Sequence, residues 1–226
     1  MVKYSNYNPE CWYSGVCDNY ADGCEVNCIK YKEMKFLMEN SNIPVAKRVP
    51  IALKVAKVDQ EAYQRLSDIR KGIYDFVNEG KSLYITSDTV GNGKTSWSLK
   101  LLMGFFEEML GESGFEPVGI FIHVPTFIAK CKDFKTVDYE FEQLKKNLMN
   151  VDLVVWDDIA STDLTGYDLT QLMVYIDSRC MNEYANIYTG NITNRADMID
   201  LLGARLTSRI WGNKTEVIEF HGGDRR

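Results

Sequence analysis

Ser87-Asp-Thr-Val-Gly-Asn-Gly-Lys-Thr95 lies between the apolar run Ser82-Leu-Tyr-Ile-Thr-Ser87 and a helical stretch from Thr95 to Leu110 that Gly111 ends. A strand, a glycine-rich turn and a helix in that order form a phosphate-binding unit. Gly91 and Gly93 let the backbone N–H groups of the turn, those of Val90 and Asn92 among them, face phosphate oxygens. Lys94 brings a point charge for the β- and γ-phosphates, and Thr95 a hydroxyl for Mg²⁺. The helix opening there, with Ser96 in its first turn, directs its positive end at the same anion. The pattern G-x-x-x-x-G-K-[ST] fails at one position, where Asp88 stands in place of the first glycine. A carboxylate beside a triphosphate is unfavourable unless it points away.

Downstream, Leu153-Val-Val-Trp-Asp-Asp158 is an apolar run ending in two acids. A buried strand that delivers an aspartate beside the phosphate loop is how P-loop NTPases hold Mg²⁺. Asp157 fits that role, and Asp158 fits the orientation or deprotonation of an attacking water. Around these two signals the chain alternates strands and helices. Tyr63, Leu66, Ile69, Ile73, Phe76 and Val77 recur at helical spacing and predict one helix that Gly80 stops. Strands are expected at Val118–Val124, Val151–Trp156, Asn186–Thr189 and Thr215–Phe220. Helices are expected at Tyr139–Asn150, Tyr167–Glu183 and across Arg195–Trp211. That order implies an α/β fold, a parallel sheet flanked by helices with its ligand at the strand carboxyl ends.

Charge and composition exclude several classes. The chain has 226 residues, with 26 Lys and Arg against 32 Asp and Glu, a net charge of −6. A generic DNA-coating protein would carry the opposite balance. The longest uncharged stretch, Pro117–Ala129, is too short to span a bilayer and holds His123 and two prolines, so no membrane partner is expected. The amino terminus lacks the apolar core of a signal peptide, so the expected location is cytoplasmic. With only His123 and His221 present, His-rich metal sites are excluded.

Cys11, Cys17, Cys24 and Cys28 crowd a segment with little apolar material. Four thiolates on one Zn²⁺ would supply the folding free energy that such a segment lacks. Disulfides are the rival in an oxidising compartment, and free thiols a third reading. Cys131 and Cys180 stand alone and read as small buried hydrophobes. Tyr4, Tyr7, Trp12, Tyr13, Tyr20 and Tyr31 surround the cluster, either packing over a metal or forming a protein-binding face. Residues 1–40 hold six acids against four bases, which favours a protein partner over a DNA backbone there. The expected organisation is a cysteine-rich module at 1–40, a basic linker at 41–57 with Pro44 and Pro50, and a nucleotide-binding domain at 58–226.

From Asn42 onward the chain resembles the helicase-loader branch of the AAA+ ATPases, the DnaC/DnaI type that includes IstB. Asn42-Ile-Pro44 followed by a basic stretch resembles the family's entry segment, and Asp177-Ser-Arg179 before a strand also resembles it. The resemblance makes Asn191, after Thr189-Gly, a sensor of the γ-phosphate or attacking water, although an asparagine there could equally cap the next helix. Leu202-Gly-Ala-Arg-Leu-Thr-Ser-Arg-Ile210 is similar to the segment that offers an arginine to a neighbouring subunit's nucleotide. Arg209 takes that part, with Arg205 beside it. Phe220-His-Gly-Gly-Asp-Arg-Arg226 resembles the terminal sensor segment, with Arg226 facing nucleotide and no helical lid beyond it.

The resemblance implies an ATPase that uses ATP and Mg²⁺. It also implies self-association through the trans arginine, a replicative hexameric (DnaB-type) helicase as partner, and single-stranded DNA contact. The zinc module would grip the helicase. The small size suggests a phage or mobile-element version. The rivals are an IstB-like transposition helper and a nucleotide-binding adaptor or helicase inhibitor that does not hydrolyse. A small-molecule kinase stands further off, because it has no use for the cysteine module.

Overall fold

The computed structural model describes residues 11, 28–48, 51, 53, 54, 56–133, 138–160 and 164–224. Three helices precede the first strand: α1 (Ile29–Asn40), α2 (Gln60–Lys71) and α3 (Ile73–Asn78). Then come β1 (Ser82–Thr86), α4 (Lys94–Glu108), β2 (Gly119–His123), α5 (Val124–Cys131) and α6 (Tyr139–Leu148). The chain continues with β3 (Leu153–Asp157), α7 (Gly166–Met181), β4 (Ala185–Gly190), α8 (Arg195–Ile210) and β5 (Thr215–Glu219).

The strands pair in parallel in the order β2-β3-β4-β1-β5. Successive residues point to opposite faces, and both faces of β1 to β4 are covered, so these strands are buried almost throughout, whereas the edge strand β5 is only partly buried and carries Glu216 and Glu219. Leu83, Ile85, Leu153, Val155 and Ile187 pack with α1, α2, α3 and α4. Tyr84, Val154, Trp156 and Tyr188 pack with α5, α6, α7 and α8. This arrangement stacks the ends of β1, β3 and β4 along one rim, where the site forms.

The five expected strands are all present, and three local differences have physical causes. The helix expected over Tyr63–Val77 is two helices, because Gly72 adopts φ −108° and ψ 29° between α2 and α3. Helix α5 occupies part of a stretch without charge periodicity, and Pro125 in its first turn supplies the fixed φ that starts it. Helix α8 is broken at Gly203, whose φ of 77° and ψ of 155° are closed to other residues.

The segment before the domain expected at residue 58 packs on the sheet. Met34, Leu37, Met38 and Ile43 are all at most 2% exposed and lie in the same cluster as α4. Glu33, also buried, accepts from the Gly111 N–H at 2.7 Å and from the Ser113 hydroxyl, which ties α1 to the turn after α4. Asn42 Nδ2 donates to Phe121 O at 2.8 Å, and the Phe121 N–H donates to Ser41 O, so this segment covers the β2 edge. Among the described residues no helix is long and apolar enough to cross a membrane.

Arg179, fully buried, saturates all five of its donors without a carboxylate. Nε donates to Asn186 Oδ1, Nη1 to Leu148 O and Val151 O, and Nη2 to Asp152 O and Ala185 O, at 2.8–3.2 Å. Burial pushes its pKa down to about 10, and its role is to fasten the starts of β3 and β4 to the end of α6.

Candidate nucleotide site

The loop after β1 turns at Gly91 (φ 74°) and Gly93 (φ 104°), the left-handed region that the sequence assigned to glycine. Asn92 is buried and fastens the loop from inside. Its Nδ2 donates to Ser87 Oγ and, at 3.1 Å, to Thr89 Oγ1. Lys94 Nζ donates to Thr89 O at 2.8 Å and Asn92 Oδ1 at 3.3 Å, so the ammonium sits inside the loop it serves. Burial pushes the Lys94 pKa down, and the carboxylates of Asp158, Asp157 and Asp88 oppose that shift. Val90 and Asp88 are exposed. The carboxylate at the missing-glycine position is therefore in contact with water, although its charge still acts on Lys94.

Asp157, at the end of β3, is 4% exposed. Its Oδ1 accepts from Thr95 Oγ1 at 2.8 Å and Thr189 Oγ1 at 2.7 Å. Burial pushes its carboxyl up, against the two hydroxyl hydrogen bonds, and Asp158 adds to the rise while the Lys47 charge opposes it. Thr95 and Asp157 are thus already in contact. A hydroxyl and a carboxylate are the hard oxygen donors that Mg²⁺ takes alongside phosphate. Asp158 is the opposite of its neighbour: its φ is 63°, which turns the side chain out of the strand, and that side chain is 38% exposed. Its N–H donates to Thr189 Oγ1 at 2.9 Å, so one hydroxyl on β4 positions both acids.

Asn191 follows β4 directly. Its Oδ1 is buried with no hydrogen-bond partner among the described residues. A buried acceptor without a protein partner costs about 1–3 kcal/mol. It does not cap the next helix, because that cap is Asn194, whose Oδ1 accepts from the Asp197 N–H. Gly190 beside it admits no side chain: a Cβ there would lie 2.7 Å from the Tyr84 hydroxyl and 3.0 Å from Ile159 O. Tyr84 Oη and Thr86 Oγ1 both donate to Ile192 O and pin the strand exit.

Four residues of this site were given no role by the sequence. His123 ends β2 opposite Asp157 in register, with Nε2 4.0 Å from Asp158 Oδ2 and Nδ1 2.8 Å from Thr126 Oγ1. Thr189 was visible only as part of the Thr189-Gly-Asn191 run. Asp59, 1% exposed, accepts from the His221 N–H at 2.7 Å and the Gly222 N–H at 3.2 Å. Thr89 Oγ1 donates to Gly222 O at 2.9 Å, so the segment after β5 rests on the phosphate loop. Arg226, expected there, lies outside the described residues.

Arg205 and Arg209 are away from these groups, on the half of α8 beyond Gly203. Arg209 Nε donates to Asp177 Oδ1 at 2.6 Å and Arg205 Nη2 to Asp177 Oδ2 at 2.8 Å. Of the four clustered cysteines, Cys11 and Cys28 are described, both half-buried and neither bonded to another described cysteine, while Cys17 and Cys24 lie outside the described residues. No group of three metal-ligating side chains occurs among the described residues.

A phosphate loop after β1, an acid pair after β3 and a polar residue after β4 on a parallel β2-β3-β4-β1-β5 sheet give the chain a P-loop fold. No family model matches the chain, and no curated protein matches it. Solved structures do. The DnaC helicase loader is 20% identical, with a TM-score of 0.61 over 75% of this chain and 94% of that one. DnaI is 19% identical, with a TM-score of 0.56 over 84% of this chain and 93% of that one. DnaA from Aquifex aeolicus, bound to AMPPCP, is 19% identical, with a TM-score of 0.53 over 76% of this chain and 50% of that one. The fold is the one expected from the helicase-loader resemblance.

Proposed function

We propose that this chain is an ATP-dependent loader of the replicative hexameric DNA helicase onto single-stranded DNA. The observation that carries the reading is a divided site. Lys94, Thr95, Asp157, Asp158 and Asn191 converge at the strand ends, whereas Arg205 and Arg209 are held apart on α8 by Asp177. Such a site is completed by the arginine of a second copy, and ATP then favours the assembled state over the free one.

Each residue has a part in that cycle. The loop N–H groups and Lys94 bind the triphosphate, with Thr95 and Asp157 as the residues that would hold Mg²⁺. When bound, that cation would neutralise charge on the phosphates. Asp158, exposed beside the buried Asp157, accepts a hydrogen bond from the attacking water and orients it. Asn191 donates from Nδ2 to the γ-phosphate or accepts from that water at Oδ1, the atom without a partner among the described residues. Arg209 from the neighbouring copy stabilises charge on the transferring group, and Arg226 senses nucleotide from the tail. Hydrolysis releases the assembly. The four clustered cysteines hold Zn²⁺ in a small module that grips the helicase. This part of the reading rests on the donor set alone.

The test is loading itself. A hexameric helicase that cannot thread onto closed circular single-stranded DNA should unwind an annealed primer only when this protein and ATP–Mg²⁺ are present. Unwinding that is equally fast without the protein, or with its Lys94→Ala variant, contradicts the proposal. Nucleotide-dependent helicase binding without turnover would instead favour the non-hydrolysing adaptor.

A further inference from the structure

The pairing of Asp177 with two arginines has an asymmetry that bears on catalysis. Asp177, on α7, has a side chain only 14% exposed, and each of its oxygens takes a different guanidinium. Arg205 spends a terminal nitrogen, Nη2, on the contact and is 71% exposed. Arg209 spends only Nε. Its two terminal amino groups make no hydrogen bond among the described residues, and its side chain is 39% exposed. The terminal pair is the part of a guanidinium that matches phosphate oxygens, so a grip at Nε leaves the reactive edge free and fixes its direction. Arg205 and Arg209 are four residues apart on a short half-helix, where two like charges repel, and the shared carboxylate offsets that repulsion. Burial alone would push the Asp177 carboxyl up, but the hydrogen bonds from Arg209 and Arg205 hold it below the usual carboxylate range, so it is ionised at neutral pH.

We propose that Asp177 is a positioning residue for the trans arginine, orienting Arg209 through Nε before a neighbouring copy's nucleotide arrives. Arg205 completes the brace and does not act as a second finger. The inference rests on the inter-subunit reading given above.

Mixed full-length variants separate the two. A Lys94→Ala copy binds no nucleotide but still offers Arg209, and an Arg209→Ala copy binds nucleotide but offers no finger. Each alone is inactive, and the mixture recovers ATP turnover. Asp177→Asn added to the Lys94→Ala copy lowers kcat of the mixture by about ten- to a hundredfold at unchanged KM, the size of a catalytic group misplaced by about an ångström. The same change on the Arg209→Ala copy leaves turnover within about twofold, because the Asp177–Arg209 pair is absent there and only the exposed Arg205 contact is lost. Asp177→Glu on the donor copy restores part of the loss. Equal losses from both placements would make Asp177 merely structural. Unchanged or faster turnover from the donor placement overturns the positioning role, the faster case making Asp177 a sequestering group. A mixture that stays inactive, although the Arg209→Ala copy binds ATP, overturns the inter-subunit reading itself and the inference with it.

Discussion

Burying one of two adjacent carboxylates and exposing the other gives Asp157 and Asp158 different chemistry from the same side chain. The cost falls on Asp157. Its carboxyl is pushed up by burial, so the folded state holds the proton more tightly than the unfolded chain. The linkage sign follows: stability from this group is greatest at low pH and is lost as pH rises from the ordinary Asp value of 3.8 through the higher folded value. Asp157→Asn keeps an Oδ1 to accept from Thr95 and Thr189 while removing the charge. It should raise the melting temperature of the ligand-free chain by about 2–4 °C, the effect of about 1 kcal/mol in a chain of this size. The same variant should lose Mg²⁺-dependent turnover, the usual opposition of stability and function at a site. A lower melting temperature in a thermal scan would contradict this. Asp88, exposed to water in the loop, is a milder case. Asp88→Asn should change the ATP dissociation constant by less than about threefold, since a solvent-exposed charge is screened. A tenfold gain by titration calorimetry would mean that the carboxylate does face the phosphates.

At the scale of elements, α8 and the capped helices carry the tests. Gly203 divides α8, and nothing lies within 4 Å of a Cβ built there, so Gly203→Ala costs backbone strain and no clash. About 1–3 kcal/mol of strain is expected, visible as a fall of about 2–12 °C in melting temperature. Turnover should fall as well, because the arginine-bearing half of the helix loses its direction. Asp138 caps α6, and Asp168 forms a capping box on α7 with Thr165 while pairing with Lys132. The backbone bond to Phe141 holds the Asp138 carboxyl below 3.8; at Asp168 burial opposes the shift, but Lys132 and Thr165 still hold the carboxyl low. For these two the sign is opposite to that of Asp157. Their stabilisation is present above the unfolded value and is lost as pH falls below about 3.8. Asp168→Asn should therefore flatten the acid limb of a stability–pH curve, and an unchanged limb would refute the assignment. Strands β1 to β4 were legible because burial on both faces leaves a continuous apolar run with nothing to misread. Helix α5 was not, since two turns with a proline in the first, inside an uncharged stretch, are too short to show a period. The apolar period over Tyr63–Val77 runs on through Gly72, so the break there left no mark on the pattern.

Across the whole molecule, the parts least legible in sequence are those that join distant segments. The phosphate loop, Asp157 and Asp158 could be read locally, because each is a motif on one strand end. The grip of Asp177 on Arg209 spans 32 residues and the Asp59 contact with Gly222 spans 163, so neither leaves a spacing to recognise. Asn191 could be placed by resemblance, but its buried unpaired oxygen is a property of the folded rim. The Asp59 contact ties the two ends of the domain together beside the phosphate loop, and the Asp177 contact fixes the last turns of α8 against α7. The most direct test of the loader account is the mass of what forms when the purified chain meets a hexameric replicative helicase, measured with and without ATP–Mg²⁺. The account expects several copies per hexamer with ATP–Mg²⁺, and loss of that complex with Lys94→Ala. A helicase that remains a bare hexamer under every nucleotide condition would contradict it.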